Sequence, residues 1–272
     1  MRSRRRLAVL ATAMVAGASL PASGFEEMPP IEWHQPAELG LIPGEQIANP
    51  PPPALKIGSQ GDWVARLQEH LATASLFRGR IDGVFGGATR GAVYAFQKVH
   101  NLERTGVFAA SDWRFFSREI SGPGSGPEAS RVEVDLNRQL LYLIEAEELA
   151  GVFTISSANG ESYRNARGRV VRANTPEGRF TFQRSRAGWW ESYLGFLYRP
   201  HYFYGGYAIH GSSSVPPFPA SHGCVRVEIV DMDFLATRLR VGMPIYVYGD
   251  DVARNDLIET PVTPPPPSPP AI

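Results

Sequence analysis

The chain contains a single cysteine, and it lies among residues that could activate it. Cys224 belongs to the hexapeptide Ser-His-Gly-Cys-Val-Arg at positions 221–226, and His210 precedes it by 14 positions. A thiolate attacks carbonyl carbon far better than a thiol does, and a nearby histidine can act as its base or counter-charge. The alternative is a buried structural cysteine, because free cysteine packs well in cores. The pattern predicts a nucleophilic Cys224, with His210 or His222 as the base.

The N-terminus predicts export. Residues 1–24 combine a basic start, an apolar run from Leu7 to Leu20 and small residues at the end, which is typical of a secretory signal peptide, whether cleaved or kept as an anchor. The apolar run is too short to span a bilayer comfortably, and no later segment is apolar enough to do so. We therefore expect an exported chain with no transmembrane segment in its mature part.

Cysteine count and charge exclude several classes of function. One cysteine allows no internal disulfide, so an exported thiol is either intermolecular or chemically active. A cysteine-rich zinc site is excluded, whereas a His/Asp/Glu site stays formally open, although the six histidines lack His-Glu-x-x-His spacing. We expect no metal and no cofactor. The 27 basic and 27 acidic residues give no net charge, which argues against nucleic acid as a partner.

Proline and glycine divide the chain into predicted domains. After the signal peptide, residues 25–53 form a proline-rich spacer, 119–129 a linker of Gly, Pro and Ser, and 250–272 a proline-rich tail. The segments 54–118 and 130–249 are each long enough to bury a core. The sequence thus predicts a small module, a linker and a larger domain.

The two predicted domains differ in hydrophobic period. In the small module, apolar residues recur at helical spacing in three places: Val64, Leu67 and Leu71; Val93 and Phe96; Trp113 and Phe116. In the larger domain, strand-like segments dominate: 132–136, 140–144, 152–156, 178–182, 206–210 and 243–248. Only Glu228 to Leu239 has helical periodicity there. We expect a small three-helix α domain followed by a mainly β domain with one helix after Cys224.

The small module resembles the three-helix peptidoglycan-binding domain attached to many cell-wall enzymes. The resemblance rests on residues 55–64 (Leu-Lys-Ile-Gly-Ser-Gln-Gly-Asp-Trp-Val), 81–86 (Ile-Asp-Gly-Val-Phe-Gly), 92–97 (Ala-Val-Tyr-Ala-Phe-Gln) and 105–107 (Thr-Gly-Val). It implies a targeting module that holds the larger domain near peptidoglycan. The alternative is a degenerate module kept as a spacer.

The larger domain resembles the catalytic domain of the L,D-transpeptidases, also called the YkuD family. The match lies in residues 134–143 (Val-Asp-Leu-Asn-Arg-Gln-Leu-Leu-Tyr-Leu), 174–180 (Asn-Thr-Pro-Glu-Gly-Arg-Phe), His210-Gly211 and the hexapeptide at 221–226. The resemblance implies a two-sheet β-sandwich and acyl transfer through cysteine. It also implies peptidoglycan stem peptides as donor and acceptor, and a location in the periplasm or the extracellular cell wall.

The family also implies roles for individual residues. Cys224 would attack a stem-peptide amide, release a terminal D-amino acid and leave a thioester that an amine resolves. His210 occupies the position of the family's base, and the carbonyl of Gly211 would orient its other ring nitrogen. His222 stays a rival base, because residues two apart share a face of an extended strand. The backbone N–H groups of Gly223 and Cys224 are candidates for the oxyanion hole.

Four further residues are candidates for substrate binding. Arg226 would hold a substrate carboxylate or else form an internal ion pair, and Ser221 would position substrate or else stabilise a turn. Tyr204 and Tyr207 are the aromatic candidates, since the family has a flap over the cleft near residues 189–206.

Two alternative functions stay open: a hydrolase that uses the same acyl-enzyme, and a non-catalytic wall-binding protein. The oligomeric state stays open.

Overall fold

The computed structural model describes residues 52–118, 120 and 126–249, and all of them belong to one compact unit. The predicted signal peptide, nearly all of the proline-rich spacer and the whole tail lie outside the described residues. Within these ranges, no helix is both long and apolar enough to cross a membrane. The predicted domain boundaries stay a prediction.

The N-terminal part of the described chain is helical, as predicted. It contains α1 (Asp62–Thr73), α2 (Gly87–Val99) and a 3-10 helix (Ala110–Ser117). The apolar face of each α-helix is buried, and aromatic rings around Phe96 fill the space between the helices. The third element has eight residues and is a 3-10 helix rather than an α-helix.

Within residues 126–249, twelve strands and one α-helix form the larger part of the structure. The strands are β1 (Arg131–Asp135), β2 (Leu140–Glu145), β3 (Glu148–Thr154), β4 (Ser162–Arg164), β5 (Val170–Arg172), β6 (Gly178–Thr181), β7 (Arg184–Ser185), β8 (Trp189–Ser192), β9 (Gly195–Tyr204), β10 (Tyr207–Ser212), β11 (Val225–Glu228) and β12 (Pro244–Tyr248), and α3 is Ile229–Leu235. One sheet has the order β3-β2-β1-β12-β6 and a second has β11-β10-β9-β7 with β8 paired to β9, while β4 and β5 form a separate hairpin. The prediction of a mainly β domain is confirmed.

The two sheets and the helices form three layers. Alternate residues of β1 and β2, such as Val134 and Leu141, share a core with Ile209 and Val225 of the second sheet and with Leu235 of α3. The opposite face of the first sheet is also buried. Its residues Leu140, Tyr142, Ile144 and Val152 pack in one cluster with the N-terminal helices. The continuous apolar run of β2 reflects this burial on both faces.

The helix after Cys224 is shorter than predicted. Its α-helical part ends at Leu235, whereas the periodicity predicted a helix to Leu239. The chain continues in tight turns, since the N–H of Arg238 bonds to the carbonyl of Leu235. Leu239 is buried, as its place on the predicted apolar face implies, but it lies in a turn and not in the helix.

Candidate active-site cleft

Strands β10 and β11 place the predicted reactive residues on one face. They pair in parallel, with Ile209 opposite Val225 and His210 opposite Arg226. Side chains alternate along a strand, so the apolar members of these pairs enter the core and the polar members face the other way. His210, Arg226 and Cys224, which immediately precedes β11, all line one cleft.

The cleft has a volume of about 580 Å³, and both polar and apolar side chains line it. One wall comes from the β4–β5 hairpin and another from the turn between β8 and β9, whose apolar side chains are largely exposed. The floor comes from the end of β9, the start of β10 and the loop of Cys224. The wall and floor residues are Tyr163, Asn165, Ala166, Tyr193, Leu194, Phe196, Tyr202 and Tyr207.

Hydrogen bonds hold the loop of Cys224 in shape. The Ser221 hydroxyl donates to the Cys224 carbonyl at 2.6 Å and accepts from the Gly223 N–H at 3.1 Å. The hydroxyl of Thr175 donates to the Gly223 carbonyl at 2.8 Å. A Cβ added at Gly223 would lie only 2.6 Å from Cε1 of Tyr207, so the close approach requires glycine.

His210 is buried and neutral. His210 is only 5% exposed, and its Nδ1 lies 2.9 Å from the carbonyl oxygen of Gly211. A carbonyl can only accept, so Nδ1 carries the proton and Nε2 keeps a free lone pair. Burial lowers the pKa of His210 to about 4, an effect that the charge of Arg226 reinforces and the Gly211 carbonyl opposes.

Cys224 is a free thiol whose charged form is disfavoured. The residue keeps some exposed surface, and desolvation at the cleft raises the pKa of the thiol. The backbone N–H of Ala208 and the charge of Arg226 act in the opposite direction. With a neutral imidazole nearby, the resting state is thiol and imidazole rather than an ion pair.

Arg226 brings positive charge into the cleft. Its guanidinium is half-buried, and burial lowers its pKa while Cys224 raises it. Across residues 52–118 and 126–249, none of the ion pairs includes Arg226. The side chain therefore faces the cleft with its donors available to an anionic ligand.

The remaining predicted site residues fall into two groups. Tyr207 lines the cleft, and His222 does so with its ring edge-on to Tyr163 at a centroid distance of 4.7 Å. Tyr204 instead packs on Phe180 at 4.8 Å and stacks on Tyr207 at 6.1 Å. Ser221 also lines the cleft, but it is buried and its hydroxyl is engaged inside the loop.

Sequence reasoning missed several residues of the cleft. Tyr163 sits in an arginine-rich segment without periodicity. Thr175, which supports the loop of Cys224, lies in the matched segment 174–180, where no individual role is predicted. The Gly223 N–H, a predicted oxyanion donor, is engaged by the Ser221 hydroxyl. Among the residues that the structure describes, no group of three or more His, Cys, Asp or Glu side chains could hold a metal ion.

Comparison with known proteins gives matches to both parts of the chain. Residues 129–247 match the L,D-transpeptidase catalytic domain, and residues 60–108 match a putative peptidoglycan binding domain. An L,D-transpeptidase structure from Xylanimonas cellulosilytica is 39% identical, with 73% of this chain and 99% of that chain covered and a TM-score of 0.69. An L,D-transpeptidase structure from Stackebrandtia nassauensis is 21% identical, covers 74% and 98% respectively and has a TM-score of 0.42. No curated protein matched.

Proposed function

Since the chain belongs to the L,D-transpeptidase family, we propose that it acts on peptidoglycan stem peptides through a thioester on Cys224. The observation that carries this proposal is that His210 of β10 and Cys224, which immediately precedes the neighbouring strand β11, line one cleft. The sulfur attacks the carbonyl carbon of the peptide bond before the terminal D-amino acid, and that amino acid leaves. An amine of a second stem then attacks the thioester and forms the cross-link.

His210 is the proposed base. Its Nε2 takes the thiol proton as the sulfur attacks and gives it to the departing amine nitrogen. In the second step, Nε2 takes the proton of the attacking amine, and the sulfur regains it on leaving. The Gly211 carbonyl at Nδ1 favours the tautomer that this requires. It stands where a cysteine protease has an amide or carboxylate side chain.

The Cys224 N–H is the proposed oxyanion donor. Of the two N–H groups predicted for this role, that of Gly223 already donates to the Ser221 hydroxyl. One such donor is worth about 2.7–4 kcal/mol of transition-state stabilisation in comparable enzymes. Arg226 is proposed to bind a carboxylate of the stem peptide, because it faces the cleft without a protein anion. Tyr207 and His222 would contact the bound peptide as parts of the cleft wall.

The peptidoglycan-binding segment is proposed to hold the enzyme at its polymeric substrate. This use requires export, which the predicted signal peptide would provide, to the periplasm or the extracellular wall. Because the helices share a core with the first sheet, the test uses the full chain. The full chain should co-sediment with purified cell-wall sacculi. It should do so also when Cys224 is acylated, because binding by the helical segment does not need a free cleft. Failure to co-sediment would reject the targeting role.

Mass spectrometry of the products formed from purified tetrapeptide muropeptides tests the reaction. Cross-linked dimer indicates transfer to an amine, whereas tripeptide alone indicates a hydrolase with the same acyl-enzyme. Cys224→Ala should form neither product. His210→Ala should lose both, while His222→Ala should retain them. Full activity in His210→Ala would move the role of base to His222.

A further inference from the structure

A buried lysine of the helical segment reaches into the first sheet. Lys98 lies in α2 and is 2% exposed. Its Nζ donates to the Gln139 carbonyl at 2.9 Å, the Thr154 hydroxyl at 2.6 Å and the Ile155 carbonyl at 3.2 Å. An ammonium has three donors, and all of them are used. None of these acceptors is a carboxylate, so the side chain does not neutralise an anion.

Burying this group carries a free-energy cost that an apolar side chain would avoid. Desolvation, with the charge of Arg104 adding to it, lowers the pKa of Lys98 well below its ordinary value. The contacts fix two chain segments relative to α2, because the three acceptors lie on those segments. Those segments are the turn before β2 and the end of β3.

Gln139 extends the connection to Ser157. Its backbone has a φ of 58°, and its carbonyl accepts the Ile155 N–H at 3.0 Å as well as the Lys98 ammonium. Its side-chain oxygen accepts the Ser157 N–H at 2.9 Å, and its amide donates to the Ser157 hydroxyl at 2.7 Å. Because Gln139 is 1% exposed, water does not compete for these bonds.

Ser157 in turn holds the loop of Cys224. Its carbonyl accepts the N–H groups of Ala220 at 2.9 Å and Ser221 at 2.8 Å. Ser221 is the residue whose hydroxyl bonds to the Gly223 N–H and the Cys224 carbonyl. A continuous set of hydrogen bonds therefore runs from α2 to the residue with the reactive sulfur.

Two parallel contacts strengthen the same connection. Ser156 exchanges two backbone hydrogen bonds with Arg226, at 3.0 and 3.1 Å. Arg104, which follows α2, donates to the Pro217 carbonyl at 3.1 Å and the Asn137 carbonyl at 3.2 Å. The helical segment thus contacts both the turn that carries Gln139 and the loop that leads to Ser221.

We propose that Lys98 is a positioning residue for the reaction, which through Gln139 and Ser157 holds the loop of Cys224 in the geometry for attack. The helical segment is then a structural part of the catalytic site in addition to binding the wall. The inference rests on the proposed thioester chemistry. A displacement of about 1 Å at a reacting atom can lower a rate about 100-fold, so a residue distant from the sulfur can affect catalysis.

The test uses Lys98→Met in the full chain, because methionine matches the apolar stem and removes all three hydrogen bonds. The chain has two lysines, and Lys56→Met is the matched control, since Lys56 is exposed. We expect the rate constant of Cys224 acylation by a tetrapeptide stem to fall tenfold or more in Lys98→Met. The assay temperature is kept well below the melting temperature of this variant. KM and co-sedimentation with sacculi should stay within twofold, and Lys56→Met should match the parent chain.

A folded Lys98→Met protein with the parent acylation rate would overturn the inference. If this variant does not fold, Thr154→Val decides, because it removes one of the three Lys98 bonds at nearly constant shape. A reduced acylation rate constant at unchanged KM then supports the inference, and an unchanged rate constant rejects it. Absence of any thioester in the parent chain would instead reject the proposed function.

Discussion

The neutral state of His210 and Cys224 has a measurable consequence for the pH dependence of acylation. With a pKa of about 4, the His210 imidazole stays about 97% neutral at pH 5.5. A histidine with the ordinary pKa of about 6.5 would be only about 9% neutral there. Lowering the pH from 8 to 5.5 should therefore change the acylation rate constant by only a few per cent, whereas an unperturbed base would lose about tenfold.

The assay is the single-turnover rate of thioester formation at saturating tetrapeptide between pH 4.5 and 8. The variant His222→Gln serves as control and should show the same profile. Circular dichroism at each pH is needed, because a lowered folded-state pKa means that stability falls as the pH drops from about 6.5 towards 4. A midpoint near 6.5 in a folded protein would refute the assignment of a buried neutral base. A bell-shaped profile centred below pH 7 would indicate a thiolate–imidazolium ion pair. It would refute the assignment of a neutral thiol and a neutral imidazole as the resting state.

Three further predictions follow from the cleft and from α3. Gly223→Ala, whose Cβ would meet Tyr207, should lower the acylation rate constant more than tenfold, and a parent rate would mean that the loop relaxes freely. Arg226→Gln should raise KM for stems with a free carboxylate more than for amidated stems, and equal effects would contradict carboxylate binding. Burial, with Glu228 adding to it, raises the pKa of Asp231 to about 8, so Asp231→Asn should raise the melting temperature increasingly as the pH goes from 4 to 8. A pH-independent change would argue against a buried carboxyl group.

Short-range patterns predicted the helical segment and the mainly β domain, whereas the predicted roles of the residues around Cys224 came from the family resemblance. Helical spacing located α1 and α2 because each buries one face, and alternation located β1 and β10. The hexapeptide ends in β11, which pairs with the strand of His210, so their meeting depends on a single strand register. These features are local, or nearly so, and a sequence expresses them directly.

Other features depend on contacts that no local pattern encodes. Strand β9 contains Pro200, a residue type that argues against a strand in the sequence. It also contains Arg199 with a positive φ, a conformation that an arginine does not signal in a sequence. Its register with β10 shifts between Tyr207 and Ala208, so alternation does not identify the tyrosine that reaches the cleft. Lys98 reads as an ordinary helix residue, because its partners are at least 41 positions away.

Peptide mapping by mass spectrometry after incubation with a tetrapeptide stem tests the central claim most directly. We predict an acyl adduct on Cys224 whose mass equals that of the stem without its terminal residue, with that residue released in equal amount. Cys224→Ala should carry no adduct. An adduct elsewhere in the chain, or turnover that survives in Cys224→Ala, would contradict the assignment of this cysteine as the nucleophile.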